Sequence, residues 1–260
     1  MNQQLYTTQL SAGLGLLDET RQLLQVYQLG MSASQLHDAA LASGRFPLVT
    51  ARRLRNIIVE CFSPRYLRKP YVALRLKTLV DRFTPAELNQ LFFLYTARAN
   101  LLLADFVREV YWPRYAAGRN DLQLEDAHEF IAHSVREGKT KAPWSDITIK
   151  RNASYLMGCC TDYGLLTTTG RNQRSIAAYR ILPKVAAYLA YDLKFSGLGD
   201  NQIVSSSDWE LFGLERADVR DQLKRLSLQG LLIFQAASDV VHIGWTYKSM
   251  EELIDVIAQS

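Results

Sequence analysis

The sequence predicts a predominantly helical α+β protein, in which an all-helical N-terminal domain precedes tandem units of helix and hairpin. Three observations predict it. Apolar residues recur at helical spacing through the first half of the chain. In the second half one pattern occurs twice, over Ile147 to Ile181 and Leu214 to Tyr247, aligned on Gly164-Leu165-Leu166 and Gly230-Leu231-Leu232. Each copy is an amphipathic helix stopped by a glycine suited to the left-handed conformation, after which two leucines lead into a strand. Helix, glycine stop and hairpin is how a winged helix-turn-helix ends, so winged-helix-like units are expected. Finally, Arg136 to Pro143 is polar, charged and contains both Gly and Pro, as an interdomain linker does. The expected organisation is a helical domain over residues 1–136 and a C-terminal region over 143–260, with units at about 143–181 and 183–247 and a terminal helix.

The first-half helices are expected at Leu16 to Leu29, Ala33 to Ala42, Thr50 to Phe62, Tyr71 to Phe83, Pro85 to Tyr111 with a candidate break near Asn100, and Glu125 to Arg136. Ser32 can cap the second. Thr84-Pro85-Ala86-Glu87 combines a cap, a first-turn proline and a glutamate three residues after the cap. Past the linker, Ser145 or Thr148 can cap a helix whose Ile149, Ala153, Leu156, Met157 and Cys160 share one face. Its hairpin is expected as Leu165 to Thr169, a turn over Gly170 to Arg174, and Ser175 to Ile181.

At 260 residues the chain is long enough for about two domains, each with its own core. The formal net charge is +4, unevenly placed. Arg45 to Arg82 holds ten Lys or Arg against two acids, Glu60 and Asp81, leaving 20 basic and 24 acidic residues for the rest. This one region therefore accounts for more than the whole positive charge. Three cysteines, Cys61, Cys159 and Cys160, are an odd number within helical patterns, which suits buried thiols in a reduced cytosol rather than a disulfide framework. No signal peptide is expected, because a basic region followed by an apolar stretch and a small-residue cleavage site is lacking. The most apolar stretch, Leu91 to Trp112, is interrupted by Arg98, Asn100, Asp105 and Arg108, so it reads as core helices rather than a membrane span.

Two places offer phosphate-gripping chemistry. Thr50 can cap a helix whose Leu54, Ile57, Ile58 and Cys61 face inward while Arg52, Arg53 and Arg55 point largely away. With the preceding helix and a short turn containing Gly44, it forms a candidate helix-turn-helix. A bundle helix with a solvated charged face is the alternative. In the first repeat, the outer face offers Arg151, Ser154, Tyr155 and Gly158, flanked by Lys150 and Asn152, with Asp162 as the acid of the helix, and the hairpin tip adds Arg171 and Arg174. The second repeat mixes Arg216, Arg220, Lys224 and Arg225 with Glu215, Asp218 and Asp221, and its hairpin around Ala236 to Asp239 has no basic tip. Acids along a recognition helix repel phosphate, so this copy is expected to pack against another surface or partner.

Enzymatic patterns fail on spacing. His128 and His133 are five apart, about 140° around a helix, where a shared zinc needs four. Gly138-Lys139-Thr140 resembles the end of a phosphate-binding loop, but its first glycine would fall at His133. Gly13 and Gly15 lack both the strand and the third glycine of a dinucleotide site. No nucleophile, acid–base or metal set stands out, so no catalytic residue, metal or cofactor is expected.

Ser11 to Thr20 (Ser-Ala-Gly-Leu-Gly-Leu-Leu-Asp-Glu-Thr), Gly30-Met31-Ser32, the arginine-rich helix after Thr50, and Trp144-Ser145 through Thr148, Arg151, Leu156 and Gly164-Leu165-Leu166 together resemble the BrxA family of bacteriophage-exclusion (BREX) defence systems. The resemblance spans roughly residues 10–67 and 143–166, and its motifs are mostly structural. It implies a cytoplasmic, non-enzymatic, nucleic-acid-binding member of a multiprotein complex that restricts phage DNA, and it carries no residue-level site. From the residues, the expected function is sequence-tolerant binding of duplex DNA by Arg52, Arg53, Arg55, Lys150, Arg151, Ser154, Tyr155, Arg171 and Arg174. The alternatives are a scaffold that holds other defence-complex subunits and an RNA-binding protein.

Overall fold

The computed structural model describes residues 5–170, 173–237 and 240–259. The chain is mostly helical, with two two-stranded antiparallel sheets among the described residues. It divides into two compact units, one formed by Met1–Val80 and Phe92–Tyr179, the other by Asp81–Leu91 and Arg180–Ser260. These are called units 1 and 2. Their division differs from the expected boundary at residues 136–143. The helices on either side of that stretch, α8 (Leu124–Arg136) and α9 (Asp146–Asp162), pack on each other within unit 1. The stretch is also tied to the N-terminal segment, where Tyr6 N donates to Lys139 O at 2.8 Å. A polar, Gly-containing segment marks a loop; it does not reveal whether the flanking helices share a core.

In unit 1, α1 (Leu17–Val26), α2 (Ala33–Ala42), α3 (Ala51–Asn56) and α4 (Pro70–Val80) follow the expected order. Ser32 and Gln35 form a capping box on α2, and Thr50 Oγ1 accepts from Arg53 N at 3.2 Å to start α3. Beyond Asn56 the helix loosens into a π-wound continuation, Ile57–Leu67. Pro64 lies within it; proline lacks an N–H, so the α-helical ladder could not continue unchanged there. The expected break at Asn100 is present. Asn100 is extended (φ −133°, ψ 97°) and its side chain accepts from Leu103 N, ending α5 (Pro85–Ala99) and capping α6 (Leu101–Phe106). A π-wound segment, Val107–Tyr111, then leads into α7 (Trp112–Ala116).

Helix α9 starts at Ser145, whose Oγ accepts from Thr148 N. It ends at Gly164, with φ +81°, and passes into β1 (Leu166–Gly170) and β2 (Gln173–Ile176). The strands pair Leu166 with Ile176 and Thr168 with Arg174. A third stretch of backbone lies along β2: Ile176 N donates to Asn120 O at 2.9 Å, Leu122 N donates to Arg174 O at 3.4 Å, and Asp121 bridges Ser175 antiparallel. The Tyr111 hydroxyl lies 3.0 Å from Leu165 O and 2.9 Å from Ala177 O, tying both ends of the hairpin to the helices.

In unit 2, α10 (Pro183–Phe195) is buried from Val185 through Leu193. It is followed by α11 (Asp200–Val204), α12 (Arg216–Leu228), β3 (Leu232–Ala237), β4 (Val240–Trp245) and α13 (Met250–Ile257). Gly230, with φ +74°, repeats the glycine stop. Tyr191 anchors the hairpin: its hydroxyl donates to Leu231 O at 2.6 Å and accepts from Thr246 N and Tyr247 N. The first part of α5 also belongs here, where Gln90 Nε2 donates to Arg180 O and its Oε1 accepts from Leu182 N.

Candidate nucleic-acid interface

Both sets of expected site residues lie in unit 1. On α3, Leu54 is buried and Arg52, Arg53 and Arg55 are exposed. Ile57, Ile58 and Cys61 continue the inward face as expected. The arginines are exposed because the apolar stripe of Leu54, Ile57, Ile58 and Cys61 takes the inward side of the helix that Thr50 caps.

Not all of the basic region is surface charge. Arg65 is buried, and its guanidinium donates to Gly13 O (3.1 Å), Leu14 O (3.0 Å) and Gly15 O (3.4 Å). Lys77 Nζ donates to Tyr27 O at 2.7 Å, Arg75 stacks over the Tyr71 ring, and in unit 2 Arg82 lies 3.8 Å from Asp255. The region thus divides between packing and display, with Arg45, Arg52, Arg53, Arg55, Arg68 and Lys69 exposed in unit 1.

The carbonyls that receive Arg65 belong to the Gly13-Leu14-Gly15 loop, which also meets α9. Gly15 N donates to Asp162 at 2.9 Å, and the Tyr163 hydroxyl donates to Gly15 O at 3.2 Å. A Cβ on Gly15 would sit 2.7 Å from Asp162 Cβ, so this backbone approach requires glycine. The N-terminal glycines are therefore packing positions, and Asp162 serves the loop.

On α9 the inward face is as expected, with Ile149, Ala153, Leu156, Met157 and Cys160 buried. Arg151 and Ser154 are exposed and Tyr155 is half-buried. Two expectations need correction. Asn152 is buried, with its amide donating to Thr148 O at 2.8 Å, because it falls on the side facing the core. Asp162 is not the only acid of the helix: with Ser145 as the cap, Asp146 occupies the first turn and lies 2.8 Å from Lys150. Hydrogen bonding to Lys150 and then to His128 holds the Asp146 carboxyl below the usual carboxylate range, and Asp146 in turn raises Lys150. His128 on α8 lies 3.3 Å from Asp146 and 3.5 Å from Glu125. Lys150 thus already has an acidic partner, in an exposed pair that solvent screens. Sequence reading also passed over Ile147, 64 % exposed on the same side as Arg151 and Ser154 at i, i+4 and i+7.

Arg174 is half-buried at its pair position opposite Thr168. Burial pushes the Cys160 thiol far up, neighbouring Cys159 adds to this, and the Arg174 charge acts in the opposite sense. Arg171 lies outside the described residues, as do Ser238 and Asp239 of the second hairpin. The three cysteines are buried thiols. Among the described residues no group of His, Cys, Asp or Glu is arranged to hold a metal, and no helix is long and apolar enough to cross a membrane. His133 pairs with Glu137 at 3.1 Å, and Lys139 lies near Glu109 and Glu137.

A family model described as BrxA matches residues 4–192. The crystal structure of an uncharacterized protein from Magnetospirillum magneticum is similar, with a TM-score of 0.57 at 18% identity over 73% of this chain and 94% of that one. That likeness concerns the fold alone. No curated protein matches.

Proposed function

The chain belongs to the BrxA family of bacteriophage-exclusion phage defence, and on that premise we propose that it is a non-enzymatic, cytoplasmic, duplex-DNA-binding accessory subunit of such a system. The observation that carries the reading is the order of elements around α9. A stretch of backbone paired to β2, then α8, α9, β1 and β2 follows in the order a winged helix-turn-helix would have, which supports reading α9 as its second helix. The exposed Arg151 and Ser154 would then meet phosphates and base edges, and the hairpin with Arg171 and Arg174 would act as the wing. The exposed Arg52, Arg53 and Arg55 on a capped α3 offer a second phosphate-gripping row. Lys150 contributes after phosphate displaces Asp146, and the half-buried Tyr155 would offer its ring beside that face.

Fluorescence anisotropy on matched DNA and RNA duplexes, from about 50 to 200 mM salt, tests this. DNA binding should weaken steeply with salt, and replacing Arg52, Arg53 and Arg55 by Ala should flatten the log–log slope by about 2.7 if each contacts one phosphate. No binding at the lowest salt refutes the proposal; preference for the RNA duplex redirects it. Contact with other defence-complex subunits is a second reading, favoured in unit 2 by the exposed Leu228, Ile233 and Val240 and by the mixed charge of α12.

A further inference from the structure

Between α2 and α3 the chain displays an apolar point on a stiff mount. Phe46 is buried, and Val49 N donates to Phe46 O at 3.2 Å, closing a turn with Pro47 and Leu48 at its central positions. Proline at the first central position has its φ preset, which removes most of the turn's freedom. Thr50, the cap of α3, follows at once. The turn is therefore held by a buried ring on one side and a capped helix on the other. On it Leu48 is 97 % exposed, the most exposed large apolar residue described, with Pro47 exposed beside it.

A single exposed leucine ordinarily needs no explanation. This one stands in a stretch with no acid between Asp38 and Glu60 and with four arginines, Arg45, Arg52, Arg53 and Arg55, all exposed. That charge favours a polyanion over an ordinary protein surface. Leucine and proline pressed between base pairs are among the side chains that unstack a step and kink a duplex while neighbouring cations hold the backbone. Resting on the DNA-binding reading above, we infer that Pro47 and Leu48 form a wedge that enters a base step of duplex DNA and bends it. Flexible pyrimidine–purine steps are the preferred point of insertion, because they unstack at least cost.

The test uses a duplex of roughly 25 base pairs with a central TA step and a fluorophore at each end, titrated with the full chain. Wild-type binding should raise energy transfer between the ends. Leu48→Ala should bind with the same salt slope but leave transfer close to that of free DNA, and Leu48→Phe should restore the bend. Exposure of Leu48 means the Ala variant keeps its fold, which circular dichroism checks. Unchanged transfer in the wild-type complex, or equal bending by Leu48→Ala, overturns the wedge while leaving DNA binding standing. Absence of any complex at low salt overturns the DNA reading and the wedge with it.

Discussion

Replacing Arg65 by Met removes the one side chain that donates to three consecutive carbonyls of the Gly13-Leu14-Gly15 loop. Gly15 O keeps a partner in the Tyr163 hydroxyl and Gly13 O only the distant Cys61 thiol at 4.0 Å, so the change leaves Leu14 O unpaired and Gly13 O poorly paired. A buried polar group left unsatisfied costs about 1–3 kcal/mol, and methionine recovers part of the lost packing, so the expected loss is about 3 kcal/mol. Arg65→Lys, a single ammonium in place of a planar fork, should lose about half of that. Urea unfolding followed through Trp112 and Trp144 reports on unit 1, and Trp209 and Trp245 report on unit 2. With a slope of about 2 kcal/mol/M, the unit 1 midpoint should fall by roughly 1.5 M for Met and half as much for Lys. A fall of under about 0.5 M for Met, or an equal fall in the unit 2 signal, would refute the assignment of Arg65 as the clamp of this loop.

Three further outcomes follow from the same geometry. Gly15→Ala should cost about 1–3 kcal/mol by driving Cβ into Asp162, and adding Asp162→Gly, which removes the Cβ it meets, should cost less than the sum of the two single changes; strictly additive midpoints would argue against the contact. Asp146→Asn frees Lys150, so duplex affinity should rise and the salt slope steepen by up to about 0.9, a gain that Lys150→Gln should erase; anisotropy titrations decide it. Burial pushes the Cys159 thiol up to about 12, whereas in the unfolded chain it ionises near 9, so the unfolded state loses its proton first as pH rises. The stability held below pH 9 should therefore be lost toward pH 12 at up to about 1.4 kcal/mol per pH unit, and Cys159→Ala should reduce that slope by one proton in urea midpoints taken across the range.

The legibility of the chain varied with the distance over which each feature is decided. Ser32, Thr50 and Ser145 were readable as caps because the accepting oxygen and the donated N–H lie three residues apart. The break at Asn100 was readable for the same reason, as were the inward faces of α3 and α9. The inner half of the candidate interface was harder. Asp146 was not counted among the acids of the helix, because whether Ser145 or Thr148 begins it decides its place. Asn152 read as a flank residue, yet it lies three, four and seven positions from Ile149, Leu156 and Cys159 and is buried with them.

By itself the sequence determined the helical character, the caps, the two glycine stops and the concentration of positive charge, each of which depends on residues within a few positions of one another. Tertiary structure alone decided that Arg65 is a buried clamp, that α8 and α9 share one unit, and that α5 contributes to both units. Those outcomes rest on partners far away in the chain. Arg65 meets Gly13 across 52 residues and Gln90 meets Arg180 across 90, and burial of this kind leaves no mark on local periodicity. An arginine reads the same in a sequence whether solvent or a ring of carbonyls receives its charge.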